Sequence, residues 1–460
     1  MTTSETASGT VGTPSAAALG DDPWWRPRRT DLLALYVWGG SRIVMLAISL
    51  AALANQRGTS WLNLWQRWDW DRYLTIAEYG YTSGKGPAYD SDIVAFFPGY
   101  PMVLRVVHLV VRNWVVSGLL ISLIAGAVAC IALARLTEFE CRGRDDSRRA
   151  AVTAVLILVS APAAVFLAAG YTESLFLALG IPAWLAARRR HWVLAGVLTA
   201  LACAVRIDGA FEAAGIAVMF LLSRPKVRDW ARSPALLLPL AAVVGYMAYL
   251  KDITGDWRAW FHAEAQGWSR RLTNPVAAFR NSWNNAFGSG FMSGGTASRQ
   301  SGGKPGGSAP QGGFGQQGGF GRGAGGPGGG ASPGGTSPSG GSATGQHAFS
   351  GHGLGGVGTF GPWPFRLDIL VVFAGLAFAG WAVFRRRWAE LTYVGIAVAS
   401  LATSTYYMSV AREALLWWPL WIALAIWLSH RRWLTGLYLV VSGLMMVGIS
   451  WLFLTGGWAG

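Results

Sequence analysis

Along this chain polar and apolar positions separate into blocks instead of alternating. A tail of about 30 residues rich in Ser, Thr, Gly and Ala closes on the basic run WWRPRRT, and an apolar block then extends from about 31 to 53. Roughly 20 such residues are what a helix needs to cross a hydrocarbon core. The same pattern predicts further spans near 114–136, 150–168, 172–187, 192–205, 208–223, 234–250, 366–384, 389–408, 413–429 and 434–455, about eleven in all. Those starting at 172, 192 and 208 fall short of the usual length, so their limits depend on neighbouring helices.

The loops between blocks set an expected orientation. Five basic clusters, CRGRDDSRR (141–149), RRRH (188–191), RPKVR (224–228), RRR (385–387) and HRR (430–432), fall on one side if the stretch AFFPGYPMVLRVVHLVVR (95–112) does not cross. Its two prolines, Arg105 and His108 suit a helix that lies in the interface or re-enters it. Positively charged loops mark the cytoplasmic side. The tail 1–30 lacks the apolar core of a signal peptide and is expected to be disordered and cytoplasmic, with the first span as an uncleaved anchor. The aromatic and charged loop 55–113 and the C-terminus are then extracytoplasmic. A second non-spanning stretch, 288–361, is nearly all Gly, Ser, Pro, Gln and Ala and cannot bury enough apolar surface to offset its ordering entropy. It reads as a disordered extracytoplasmic insert between a transmembrane core at 31–287 and C-terminal transmembrane helices at 362–460.

Composition sharpens the class. With 52% hydrophobic and 13% charged residues among 460, the chain is an all-α polytopic membrane protein and not a soluble domain. Its net charge of +15 would suit nucleic acid, but the cations lie in short clusters between apolar blocks, without the contiguous basic face such binding requires. Cys130 and Cys203 lie in apolar blocks and Cys141 in a charged loop, which gives neither a disulfide framework nor a CxxC metal site.

Charged side chains at membrane depth are costly, and each raises a functional question. They are few. WQRWDWDRYLTIAEYGY (65–81) carries Asp69 and Asp71, AAGYTESLF carries Glu173, AVRIDGAF carries Arg206 and Asp208, and SVAREALLWWP carries Arg412 and Glu413. With the loop TGDWRAWFHAEAQGW, which holds Asp256, His262 and Glu264, all fall on the extracytoplasmic side of the expected topology. Each has a plainer reading: Glu173 complements a helix dipole, Arg206 and Arg412 snorkel, Asp208 makes a turn, and the two early aspartates solvate a surface helix. Arginines beside carboxylates also suit a lipid phosphate, the arginines holding the phosphate while a carboxylate acts as base. That combination points to group transfer from a lipid-phosphate donor. A transporter or lipid flippase is the rival class, but transporters place their polar residues near the midplane and often carry internal repeats, and no repeat is visible here. If residues 68–78 form a helix, positions two apart point about 200° from each other. Asp69 then shares a face with Tyr73 and Ala77, Asp71 with Thr75 and Glu78, and Asp69 is the better base.

The run RWDWDRYLTIAEYGY followed by AFFPGYP resembles the WD...IA..GY...FFP..P signature of the PIG-V family, membrane mannosyltransferases that add the second mannose in glycosylphosphatidylinositol assembly, and their bacterial relatives. GYTESLF, AVRIDG and TGDWRAWFHAEAQGW resemble it in the same order, so the likeness covers most of 30–285 and, more weakly, AREALLWWPLW. The Gly-rich insert is a departure, as is Trp70, which stands where a small residue is expected and bears on acceptor choice. The resemblance implies a GT-C-like bundle of about eleven transmembrane helices with an extracytoplasmic first loop, in the plasma membrane. It implies an inverting enzyme that takes mannose from a polyprenyl-phosphate donor to a hydroxyl of a lipid or glycan acceptor. The family's essential aspartate maps onto Asp69; Asp71, Glu173, Arg206, Asp208, Asp256, His262 and Arg412 complete the expected substrate site, with Arg206 and Arg412 stabilising the leaving phosphate. The resemblance fixes no cofactor, and Asp69 with Asp71 or Glu173 offers carboxylates to a divalent cation.

Overall fold

The structure, a computed structural model, describes residues 26–82, 93–268, 270–288 and 363–459. Every described residue belongs to one compact unit. The expectations for the N-terminal tail and the Gly-rich insert fall almost wholly on residues 1–25 and 289–362, outside the described residues.

Among the described residues the chain is helical without a strand. In order come α1 (Arg29–Asn55), α2 (Trp70–Tyr79), α3 (Gly99–Val111), α4 (Trp114–Glu140), α5 (Ser147–Ser160), α6 (Thr172–Arg188), α7 (Trp192–Val205), α8 (Asp208–Leu222) and the single turn α9 (Val227–Trp230). There follow α10 (Leu238–Thr254), α11 (Ala259–Gly267), α12 (Pro275–Phe287), α13 (Trp363–Phe384), α14 (Trp388–Ala402), the turn α15 (Val410–Glu413), α16 (Trp418–Leu428) and α17 (Arg432–Leu454). Each expected apolar stretch is thus built around a helix. Five are long and apolar enough to cross a membrane: α1, α4, the stretch Ser233–Thr254 that contains α10, α13 and α17. A sixth counts if Val410–Leu416 and α16, bent by 79°, form one span.

The breaks have local causes. The expected 150–168 span divides because α5 ends at Ser160, just before Pro162, which has no N–H to continue the ladder. α3, at 13 residues, is about 20 Å long, short of a crossing. It buries Tyr100, Pro101 and Leu104 and exposes Met102, Val106, Leu109 and Val110, the division of an interfacial helix. One charge at membrane depth escapes the block pattern: Arg42, midway along α1. Its guanidinium lies over the Trp38 ring (3.9 Å), and both terminal nitrogens are buried without a hydrogen-bond partner.

The basic clusters gather at one end of the helices. Glu140 pairs with Arg188 (2.6 Å) and Arg387 (2.8 Å), Asp146 with His430 (3.1 Å), and Arg190 with Asp229 (3.5 Å). α6 leaves that end at Arg188 and begins at Thr172, α7 runs from it to Val205, and α8 returns to it from Asp208. Thr172, Arg206 and Asp208 therefore meet at the opposite end.

Candidate active site

The early loop is anchored before it delivers its carboxylate. Tyr171 donates its hydroxyl to the Arg67 carbonyl (2.5 Å), and the Arg67 guanidinium donates to the Leu454 carbonyl (2.9 Å), so the loop is tied to the start of α6 and the end of α17. Trp68 takes φ +52°, and Asp69 follows as the N-cap of α2. Trp70 turns away from the site and is fully buried: a Cβ on Gly170 would come within 2.5 Å of its ring, one on Gly118 within 2.7 Å. Two missing side chains make its slot. The bulk of this unexpected tryptophan therefore packs against α4 and the entry to α6. The next turn buries Tyr73, whose ring meets Phe96, Tyr100 and Tyr171 edge-on. The adjoining AFFP segment is held by its carbonyls, Phe96 accepting from Tyr81 (2.5 Å) and Tyr246 (2.9 Å), and Ala95 from Trp260 (3.1 Å).

Asp69 enters a chain of charges that links four segments. Arg412 donates to Asp69 Oδ2 (2.6 Å) and to Glu173 Oε1 (2.5 Å), with its guanidinium stacked over Phe166 and Tyr171 at 4.7 and 4.8 Å. Arg206, extended between α7 and α8, donates to Glu173 (3.1 Å), Thr172 (2.8 Å), Asp208 (3.1 Å) and both oxygens of Glu413 (2.6 Å each). Glu173 is fully buried and shared by both arginines. Asp69 Oδ1 has no partner among the described residues. The turn carrying Arg412 begins at Ser409, which adopts a left-handed conformation (φ 61°), and Asp368 of α13 receives the Ala411 N–H (2.9 Å).

These residues open onto a cavity of about 350 Å³. Asp69, Arg206, Asp208, Arg412 and Glu413 form a connected polar floor, and Glu264, Arg270 and Arg271 add to the polar lining, with Phe96, Trp260 and Phe261 among the apolar lining. Glu264 and Arg270 are 3.6 Å apart, and burial pushes the Glu264 carboxyl above its usual range.

Of the eight residues singled out from sequence, Asp69, Arg206, Asp208 and Arg412 line the cavity and Glu173 lies against them. Asp71 is on the exposed side of α2 and does not line it. Asp256 and His262 also stay outside the lining: they pair with each other (2.8 Å) at 41% and 60% side-chain exposure. The Arg258 backbone N–H, then His262, holds the Asp256 carboxyl below its usual range. Glu413 and Glu264, noticed in sequence but given no role, belong to the cavity, and Arg270 and Arg271 were missed. Their only local signal is the doubled arginine of SRR, which nothing nearby sets apart from the other arginines of the outer loops, such as Arg67, Arg72 and Arg258. Between Asp69 and Glu173 the positive charge is the Arg412 guanidinium, so these two carboxylates do not fit a shared cation site. Among the described residues no three His, Cys, Asp or Glu side chains are grouped as metal ligands.

Part of the chain is similar to known proteins. Residues 44–223 match the family described as Mannosyltransferase (PIG-V). GPI alpha-1,6-mannosyltransferase 2 of Rattus norvegicus is 34% identical over 193 residues, which is 40% of this chain and 36% of that protein. The protein of the same name from Homo sapiens is 32% identical over 190 residues, again 40% of this chain and 36% of its own length. GPI mannosyltransferase 2 of Yarrowia lipolytica is 30% identical over 138 residues, 29% of this chain and 37% of that protein. The chain thus spans little more than a third of the length of these relatives. No solved structure matches it. The matched region contains Asp69, Glu173, Arg206 and Asp208, and over that region the chain is similar to the PIG-V mannosyltransferases.

Proposed function

We propose that this integral membrane protein is a mannosyltransferase that moves a mannosyl residue from a polyprenyl-phosphate donor to a hydroxyl of a lipid or glycan acceptor at the extracytoplasmic face. The observation that carries the reading is Asp69: it lines the cavity with one oxygen fixed by Arg412 and the other without a partner among the described residues. A carboxylate held in this way is oriented and can still take a proton, which is what a general base needs. The sidedness rests on the basic clusters, which occupy the opposite helix ends and by the positive-inside rule mark the cytoplasm.

The reaction is a single displacement. Asp69 removes the proton from the acceptor hydroxyl as its oxygen forms a bond to the anomeric carbon. The bond from that carbon to the phosphate oxygen breaks, its electron pair leaves with the polyprenyl phosphate, and a β-linked donor gives an α-mannoside. Arg412, Glu173, Arg206, Asp208 and Glu413 keep Asp69 in place as a preorganised floor.

The test is transfer by the purified protein in lipid. Radiolabelled mannosyl phosphopolyprenol incubated with it and a membrane extract should yield an α-mannoside and an equal amount of polyprenyl phosphate. Labelled donor that stays intact, or that crosses the bilayer unreacted, would replace the enzyme reading with transport.

A further inference from the structure

We infer that Arg270 and Arg271 form the clamp for the donor's phosphate, and that Glu264 is the exchangeable partner which that phosphate displaces from Arg270. This inference rests on the donor class proposed above and assigns it a place in the cavity.

Four arginines border the cavity, and they differ in what they already hold. Arg206 and Arg412 reach carboxylates at 2.5–3.1 Å and share Glu173, so neither can turn to a phosphate without leaving a buried anion unpaired. Stranding a buried charge is costly. The floor is also crowded with carboxylates, Asp69, Glu173, Asp208 and Glu413 outnumbering Arg206 and Arg412. Arg270 hydrogen-bonds no carboxylate: Glu264 lies 3.6 Å away, beyond hydrogen-bond length, Glu413 and Asp368 feel its charge without such a bond, and its side chain is 31% exposed. The Arg271 side chain is exposed and has no partner among the described residues. The weakest-held cations of the cavity are thus adjacent in sequence.

Their position is fixed although their side chains are not. The Arg270 N–H donates to the Glu264 carbonyl (3.2 Å), the Arg271 N–H to Thr405 Oγ1 (3.4 Å) and the Thr273 N–H to the Thr403 carbonyl (2.6 Å). The loop between α14 and α15 therefore holds the pair at the cavity's edge, ready to offer two forks to one phosphate. Phe261 and Leu272, 59% and 91% exposed, line the same cavity and suit the first isoprene units of the lipid. Glu264 is suited to release its partner, because burial already disfavours its charged form.

The clamp is tested by binding rather than turnover, with the full chain in nanodiscs, geranylgeranyl monophosphate as probe and geranylgeraniol as the phosphate-free control. Arg270→Ala/Arg271→Ala should weaken phosphate binding by about tenfold or more, the scale of a lost charge-assisted hydrogen bond, and leave the alcohol unaffected. Arg271→Ala alone alters an exposed side chain, so it tests the clamp without endangering the fold and should weaken binding several-fold. Glu264→Gln should bind the phosphate as tightly as the wild type or tighter. Arginine variants that melt normally and bind within twofold of the wild type would overturn the clamp while leaving the donor class standing. A wild-type protein that prefers the alcohol would overturn both.

Discussion

A single guanidinium, that of Arg412, joins the early loop to α6: two of its nitrogens take Asp69 and Glu173, and its face rests on Phe166 and Tyr171. Lysine has neither the fork nor the flat face. Arg412→Lys should therefore lower turnover at least about tenfold even where the protein still inserts. Arg412→Ala should in addition cost about 3–5 kcal/mol of stability, because it deprives Glu173 of one of the two cations that offset its burial. Thermal unfolding in detergent measures the second effect and mannosyl transfer the first. An Arg412→Lys variant with full activity would show that Asp69 does not need this fork. The two aspartates of WDWD differ by the same reasoning: Asp71 lies on the exposed side of α2, away from the cavity lining, so Asp71→Asn should leave turnover within a few-fold of the wild type.

At the scale of elements, α2 depends on glycines in other segments. Gly170→Ala would place a Cβ 2.5 Å from the Trp70 ring and 3.2 Å from the Tyr100 hydroxyl, and Trp70 has nowhere to retreat. Overpacking of this kind costs about 1–3 kcal/mol. The variant should melt earlier and also lose activity, because displacing Trp70 moves the adjoining Asp69; unchanged melting and turnover would contradict the packing described. How much of this could be read in the sequence depended on distance along the chain. The faces of α2 were legible, because a 3.6-residue period is local: Tyr73 and Ala77 are buried, while Asp71 is exposed. The helix begins at Trp70, two residues later than expected, because Trp68 adopts a positive φ. The slot for Trp70, the support that Asp368 gives the Arg412 turn, and the loop that carries Arg270 and Arg271 were not legible. Each is made by residues more than 40 positions apart, and no local pattern records such a meeting.

For the molecule as a whole, the separation between the basic helix ends and the cavity makes sidedness testable. All three native cysteines are buried and give little background. A cysteine at Thr82, exposed near the cavity end, should react with an impermeant maleimide in intact cells, whereas one at Asp145, exposed among the basic loops, should react only after permeabilisation. The reverse pattern would put the cavity in the cytoplasm. From its composition, we also propose that deleting Gly290–Gly358 leaves the protein inserted and active, since a Gly/Ser-rich coil adds little packing and its ends can be rejoined at small entropic cost. The central claim is that the cavity transfers mannose with Asp69 as its base. The measurement that bears on it most directly is the turnover of radiolabelled mannosyl phosphopolyprenol by Asp69→Asn, at matched protein level, beside the wild type and Asp71→Asn. The amide keeps the shape of Asp69 but cannot take a proton, so its turnover should fall by about 100-fold or more while Asp71→Asn stays close to the wild type. Transfer undiminished in Asp69→Asn would contradict the account.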